Sequence, residues 1–227
     1  MTVESGRLPA ADVRSMFDGV APVYDAMNLL TTAGLDRRWR KLAARAAVRP
    51  GARVLDACCG TGDLALAAKA EGATVTGVDF SKRMLNRARR KSSEVEWVEG
   101  DVLALPFADG SFDAATIGFG LRNVEDRGRA LRELRRVLKP KGRLAILEVV
   151  RPSGVAARFY RVWFDRLIPL VGKLLPGGAA YTYLPASVKR FPGPAELETE
   201  VRAAAFAPVA HRLLAGVIVV LIVGEAA

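Results

Sequence analysis

Apolar positions recur along this chain with two periods, and the switching between them predicts its elements. From Arg53 to Glu148 short apolar runs, several of them β-branched, alternate with longer amphipathic ones. RVLDA, TVTGVD, VEWVEGD, FDAATIGF and GRLAILEVV read as strands bounded by turn residues. DLALAAKAE, stopped by Gly72, and SKRMLNRARRK, capped by Ser81, read as helices. RGRALRELRRVLKP is a third: Ala130, Leu131, Leu134, Val137 and Leu138 recur at helical spacing, and Pro140 is expected to close it. Such alternation predicts an α/β fold, a mostly parallel sheet with helices on both faces.

The flanks read differently. RSMFDGVAPVYDAMNLLTTAGLDRRWRKLAARAA is largely helical in pattern. VAARFYRVWFDRLIPLVGKLL is apolar, aromatic and basic, and Pro169 interrupts it. GPAELETEVRAAAF is expected to be a helix entered through Pro194, and AGVIVVLIVGE a buried strand. No repeat or low-complexity linker is visible. One domain is expected over residues 1–227. It comprises a helical extension (1–50), a ligand-binding core (51–150), a helical cap (151–192) and a C-terminal helix with strands (193–227).

Composition narrows this picture. Hydrophobic residues make up 51% of the 227, enough for a substantial core. The net charge of +10 favours nucleic acid, anionic membrane or acidic substrates without choosing among them, because the basic residues are scattered. There is no clustered basic stripe interleaved with aromatics, so nucleic acid is not the expected partner. The two cysteines, Cys58 and Cys59, are adjacent and give no disulfide framework. With one histidine, His211, no metal site is expected. The N-terminus lacks the apolar core of a signal peptide, and LLAGVIVVLIVG is shorter than the roughly 20 residues of a membrane span. A cytoplasmic location is the expectation.

The chemistry gathers at strand ends. Asp56, Asp79, Asp101 and Glu148 fall at or near the ends of successive predicted strands, where ligands bind in parallel sheets. Gly60-Thr61-Gly62 supplies a tight turn after the first. Asp79 follows at about the spacing of an acid that chelates ribose hydroxyls, and the turn formally fits G-x-G-x-x-A, so a dinucleotide is a real competitor. Against it stands Asp63, expected where a pyrophosphate would meet the helix N-terminus. A ligand with ribose, adenine and positive charge but no phosphate fits better, and S-adenosylmethionine is such a molecule.

The sequence also resembles class I S-adenosylmethionine-dependent methyltransferases and, more narrowly, the UbiE/MenG family of quinone C-methyltransferases. The resemblance rests on FGLRNV followed by ALRELRRVLKPKGRLAILE, on MFDGVAPVYDAMN and on YTYLPASVKRFP. It covers about Val13 to Phe206, and the Cys58-Cys59 pair departs from the small residue or glycine usual there. It implies a Rossmann-like, mostly parallel seven-stranded sheet. It implies methyl transfer to a ring carbon of demethylmenaquinol in menaquinone biosynthesis, with a ubiquinone-pathway benzoquinol as the alternative acceptor. Asp56, Gly60, Thr61, Gly62, Asp79, Asp101, Val102 and Gly118 would form the cofactor site, with Asp79 on the ribose and Asp101 and Val102 flanking adenine.

Arg122, Asn123 and Tyr24 are the catalytic candidates. Arg122 could stabilise phenolate charge or pair with Glu125 or Asp126. Asp25 and Asn28 could close over the cofactor, and Tyr181 and Tyr183 could line a quinol pocket. His211, expected between C-terminal strands, reads as structural. Because a quinol of this kind carries an isoprenoid tail, Phe159, Tyr160, Trp163 and Phe164 with neighbouring basic residues suggest, secondarily, peripheral contact with the anionic inner face of the membrane. Methylation of another small molecule, a lipid or RNA, and a non-catalytic nucleotide-binding module, stay open at this point.

Overall fold

The computed structural model describes residues 8–151, 178–214 and 218–227. The strands are β1 (Arg53–Ala57), β2 (Thr74–Asp79), β3 (Glu96–Glu99), β4 (Phe112–Gly118), β5 (Leu138–Val149), β6 (Phe206–Leu214) and β7 (Val219–Ala226). They form one sheet in the order β3-β2-β1-β4-β5-β7-β6. β1 to β5 pair in parallel, and β7 runs antiparallel to both β5 and β6. The helices are α1 (Ala10–Val20), α2 (Tyr24–Thr32), α3 (Leu35–Ala47), α4 (Asp63–Ala70), α5 (Lys82–Lys91), α6 (Arg127–Val137), α7 (Gly178–Arg190) and α8 (Pro194–Ala203).

Alternation along each strand divides the core in two. Val54, Val75, Ala114, Ala145 and Leu147 pack with Ala43, Ala44 and Ala47 of α3 and Leu64, Ala65 and Ala68 of α4. Leu55, Ala57, Ala115, Ile117, Leu144 and Ile146 pack on the other face with Leu131 and Leu134 of α6 and Leu197 and Val201 of α8. Successive side chains point to opposite faces, so a strand covered on both sides must be apolar throughout. Ser81 caps α5 as expected, its hydroxyl accepting the Met84 N–H at 3.1 Å.

Three boundaries depart from the sequence reading. α6 ends at Val137, not at Pro140, and Leu138 already has extended geometry and pairs with Phe112. Pro140 disfavours helical geometry at Lys139, and the sheet captures the freed residues. β3 stops at Glu99, so Asp101 lies beyond it, in a turn where its Oδ1 accepts the Leu103 N–H at 2.9 Å. His211 lies within β6, not between strands. The aromatic segment with Phe159, Tyr160, Trp163 and Phe164 lies outside the described residues.

The chain leaves β1 toward β2 and β3, then crosses back to β4 on the other side of β1. The carboxyl ends of β1 and β4 therefore flank a crevice of the kind where open α/β sheets bind ligands.

Candidate active site

The turn after β1 is built on left-handed backbone. Cys58, Gly60 and Gly62 have φ of 51°, 54° and 86°. One carboxylate holds it to the next strand: Asp79 Oδ2 accepts the Gly60 N–H and Oδ1 the Ser81 N–H, both at 2.8 Å. Burial pushes the Asp79 carboxyl up to about 6, against those two hydrogen bonds. The two glycines do different things. A Cβ on Gly60 would meet nothing within 4 Å, so Gly60 opens onto free space. A Cβ on Gly62 would come 2.4 Å from the Trp97 ring, so Gly62 is there for packing.

The free space is a cavity of ≈ 770 Å³ across the strand ends, open to solvent. Its walls bring together Tyr24, Gly60, Asp79, Asp101, Val102, Gly118 and Asn123, seven of the residues singled out from the sequence. Asp79, Asp101 and Glu125 line it, and among the described residues no lysine or arginine does. A pyrophosphate would meet three acids there and no counter-charge, whereas a cation or a ribose diol is well served.

Asp63 does not play the part expected of it. Its carboxylate is paired with Lys91 Nζ at 2.6 Å. Lys91 also pairs with Asp25 at 2.8 Å, and Asp25 Oδ1 accepts the Thr61 hydroxyl at 2.6 Å. Phosphate is disfavoured by the cavity acids, not by Asp63. Asp25 and Thr61 join α2 to the glycine turn. Gly118 is closely covered, since a Cβ there would lie 2.8 Å from Leu64 Cδ2.

Asp56 is wholly buried behind the turn and lines a smaller cavity of ≈ 300 Å³ with Tyr24, Arg40, Thr61 and Gly118. Its Oδ1 accepts the Thr116 hydroxyl at 2.7 Å; the Ala65 N–H helps hold the carboxylate, but its Oδ2 completes no hydrogen bond among the described residues. Burial pushes its carboxyl up to about 7. An orphaned carboxylate oxygen beside an open glycine fits a ligand ending in an ammonium group. The Cys58 and Cys59 thiols are also raised by burial, with Asp79 and Asp56 adding to it, so both are held protonated and unreactive.

A second, mostly apolar cavity of ≈ 870 Å³ adjoins the first. Phe17, Tyr24, Phe119 and Asn123 line both, so the two meet at these side chains. Met27, Asn28, Trp39, Arg122, Val149 and Tyr183 line the second alone. Arg122 pairs with neither Glu125 nor Asp126. Its Nη1 donates to Glu148 Oε1 and to the Phe119 carbonyl, each at 2.6 Å, and its backbone N–H reaches Glu148 Oε2 at 3.1 Å. Asp126 instead caps α6 through the Arg129 N–H at 2.8 Å. Three buried polar atoms on this cavity's residues stay unpartnered: Arg122 Nε, Asn123 Oδ1 and Asn28 Nδ2.

Tyr183 is buried, which raises its phenol, and the Tyr181 side chain lies outside the described residues. His211 is remote, bonded to Glu198 at 2.5 Å. The sequence reading missed the wall of the second cavity. The buried Asp36–Arg40 pair, and Phe119 over which Arg40 sits at 5.2 Å, belong to it. The four-residue spacing of Asp36 and Arg40 on a helix was the available signal.

The family model described as the ubiE/COQ5 methyltransferase family matches residues 4–225. The chain belongs to the UbiE/COQ5 methyltransferase family. It is 47% identical to the demethylmenaquinone methyltransferase of Thermus thermophilus over 92% of this chain and 99% of that one. It is 43% identical to a 2-phytyl-1,4-naphtoquinone methyltransferase of Trichormus variabilis over 80% of this chain and 84% of the relative. A SAM-dependent methyltransferase structure from Thermotoga maritima superposes with a TM-score of 0.67 at 24% identity, covering 95% of this chain and all of that one. The [4+2]-cyclase SpnF shares the architecture at TM-score 0.58 and 28% identity, over 77% of this chain and 59% of its own. The scaffold alone therefore does not specify a reaction.

Proposed function

We propose that this enzyme transfers the methyl group of S-adenosylmethionine to a ring carbon of demethylmenaquinol, giving menaquinol. The observation that carries this reading is the meeting of an acid-lined cavity with an apolar one at Tyr24, Phe119 and Asn123. Relatives named for naphthoquinone substrates, at 47% and 43% identity, favour a naphthoquinol over a benzoquinol.

When bound, S-adenosylmethionine supplies a methyl group on a positively charged sulfur that departs as a neutral thioether. The chain's own residues do the rest. Asp79 would hold the ribose hydroxyls, Asp101 and Val102 would flank the adenine, and the free oxygen of Asp56 would take the ammonium. In the apolar cavity Asn123 Oδ1 would accept from a quinol hydroxyl, which raises electron density on the ring. Arg122 Nε and Asn28 Nδ2 are the donors on hand to steady oxygen as it gains negative charge. The ring carbon gains the methyl and loses its hydrogen as a proton. The apolar walls exclude water and align the two reactants.

Incubating the purified protein with S-adenosylmethionine and a reduced, short-tailed demethylmenaquinone tests this. Mass spectrometry should show one added methyl on the ring. Absence of methylated product, with cofactor binding intact, sinks the assignment. No helix among the described residues is long and apolar enough to cross a membrane. Since the natural substrate has an isoprenoid tail, the proposal includes peripheral contact with an anionic membrane.

A further inference from the structure

The two helices that line the apolar cavity carry something else on their outer side. Met27, Asn28, Thr31 and Thr32 of α2 and Asp36, Trp39 and Arg40 of α3 line it. Between them the chain reverses through Ala33 and Gly34, both left-handed at φ 51° and 77°. At this reversal Leu29, Leu30 and Leu35 are 45%, 65% and 47% exposed. They are three of the four large hydrophobic side chains exposed among the described residues, and the fourth, Leu213, is on β6. Three leucines at one tight turn form a patch, where scattered single ones would need no explanation.

The charge beside them has one sign. Arg37, Arg38 and Lys41 are exposed on α3, and none pairs with a carboxylate of the described residues. The acids of this region are occupied: Asp36 is buried against Arg40, and Asp25 is held by Lys91 and Thr61. Apolar side chains at a tip, flanked by unpaired cations, match an anionic bilayer surface, where leucines enter the acyl boundary and basic groups meet lipid phosphates.

We propose that the α2–α3 turn, through Leu30 and Leu35 with Arg37, Arg38 and Lys41, docks this protein on an anionic lipid surface beside its apolar cavity. The inference rests on the quinol reading for its purpose, because a tailed substrate resides in that surface. Docking at this turn would bring the apolar cavity next to the pool it draws from, without extracting the tail through water.

The test is flotation of the full chain with phosphatidylcholine vesicles, with and without phosphatidylglycerol. Wild type should float at low salt only with the anionic vesicles. Leu30→Gln/Leu35→Gln should weaken partition at least about tenfold. Arg37→Gln/Arg38→Gln/Lys41→Gln should weaken it about a hundredfold, at about fivefold per charge. Flotation of either variant equal to wild type, or no flotation of wild type, overturns the proposal. So does a wild-type dimer in solution that the leucine variant converts to monomer with flotation unchanged, which assigns the patch to a second copy. Turnover of a short-tailed, water-soluble quinol separates this from the reaction itself. It should be equal in wild type and variants. If wild type turns over no quinol, the functional reading fails while flotation still decides the docking.

Discussion

Arg122, on the wall of the apolar cavity, forms an ion pair of 2.6 Å with Glu148, which is wholly shielded from solvent. Glu148 spends both oxygens on the residue it orients, and Val149 N–H adds a third bond at 2.9 Å. Removing one partner strands a buried charge. Glu148→Ala should therefore cost about 3 kcal/mol in urea unfolding. Arg122→Lys keeps the charge but loses the planar fork. It should fold, bind S-adenosylhomocysteine as wild type by calorimetry, and turn over at least about tenfold more slowly. Unchanged turnover removes Arg122 from the chemistry.

Asp79 is bonded on both oxygens to backbone, and an amide could satisfy only one of those N–H groups. Asp79→Asn should weaken S-adenosylhomocysteine binding by about a hundredfold, as a charge-assisted pair of bonds is lost. Calorimetry reads this directly, and affinity within about threefold of wild type would rule out a ribose role.

The acids of the site set opposite trends with pH. Asp56 and Asp79 titrate at about 7 and about 6 in the folded chain against 3.8 ordinarily. Over about pH 4 to 7 the folded state holds more protons than the unfolded one, so their contribution to stability is lost as pH rises through that window. Asp25, Asp113, Glu133 and Glu198 are held below their ordinary values, so they act only at lower pH. The melting temperature of the ligand-free protein should fall from about pH 5 to about pH 8, and Asp56→Asn should flatten the curve. Cofactor affinity should run the other way, declining below about pH 6 as Asp79 takes up a proton.

Lys91 bridges Asp25 and Asp63, joining α5, α2 and the first turn of α4. All three side chains are about a quarter to a third exposed, so the link is worth roughly 1 kcal/mol. Lys91→Met should speed cofactor release about fivefold in stopped-flow measurements, with high salt producing part of the same effect in wild type.

What could be read from the chain was local. β1 and β2 ended where their apolar runs met turn residues, and Ser81 capped its helix because cap chemistry needs only three neighbouring residues. Asp79 and Asp101 were legible for the same reason, since a strand end and an acid are one short pattern; Glu125 was not, and Glu148, read by the same rule, does not line the cavity. Partnerships were not. Asp63 is neutralised from 28 residues away and Arg122 is tied to an acid 26 residues on, so no spacing rule could pair them. Leu138 fitted the helical period well, but Pro140 ended the helix early and pairing with Phe112 drew it into the sheet.

Trp97 touches two glycines at once: a methyl on Gly62 would come within 2.4 Å of its ring, and one on Gly77 within 2.6 Å. Positions 77 and 97 are therefore coupled in descendants of this chain. A smaller residue at 97 would remove the main obstacle to alanine at position 77, leaving only Cys59 Sγ, 3.1 Å from that methyl, to give way. It would not release position 62, whose φ of 86° excludes a side chain on its own account. Drift should loosen one glycine and leave the other in place.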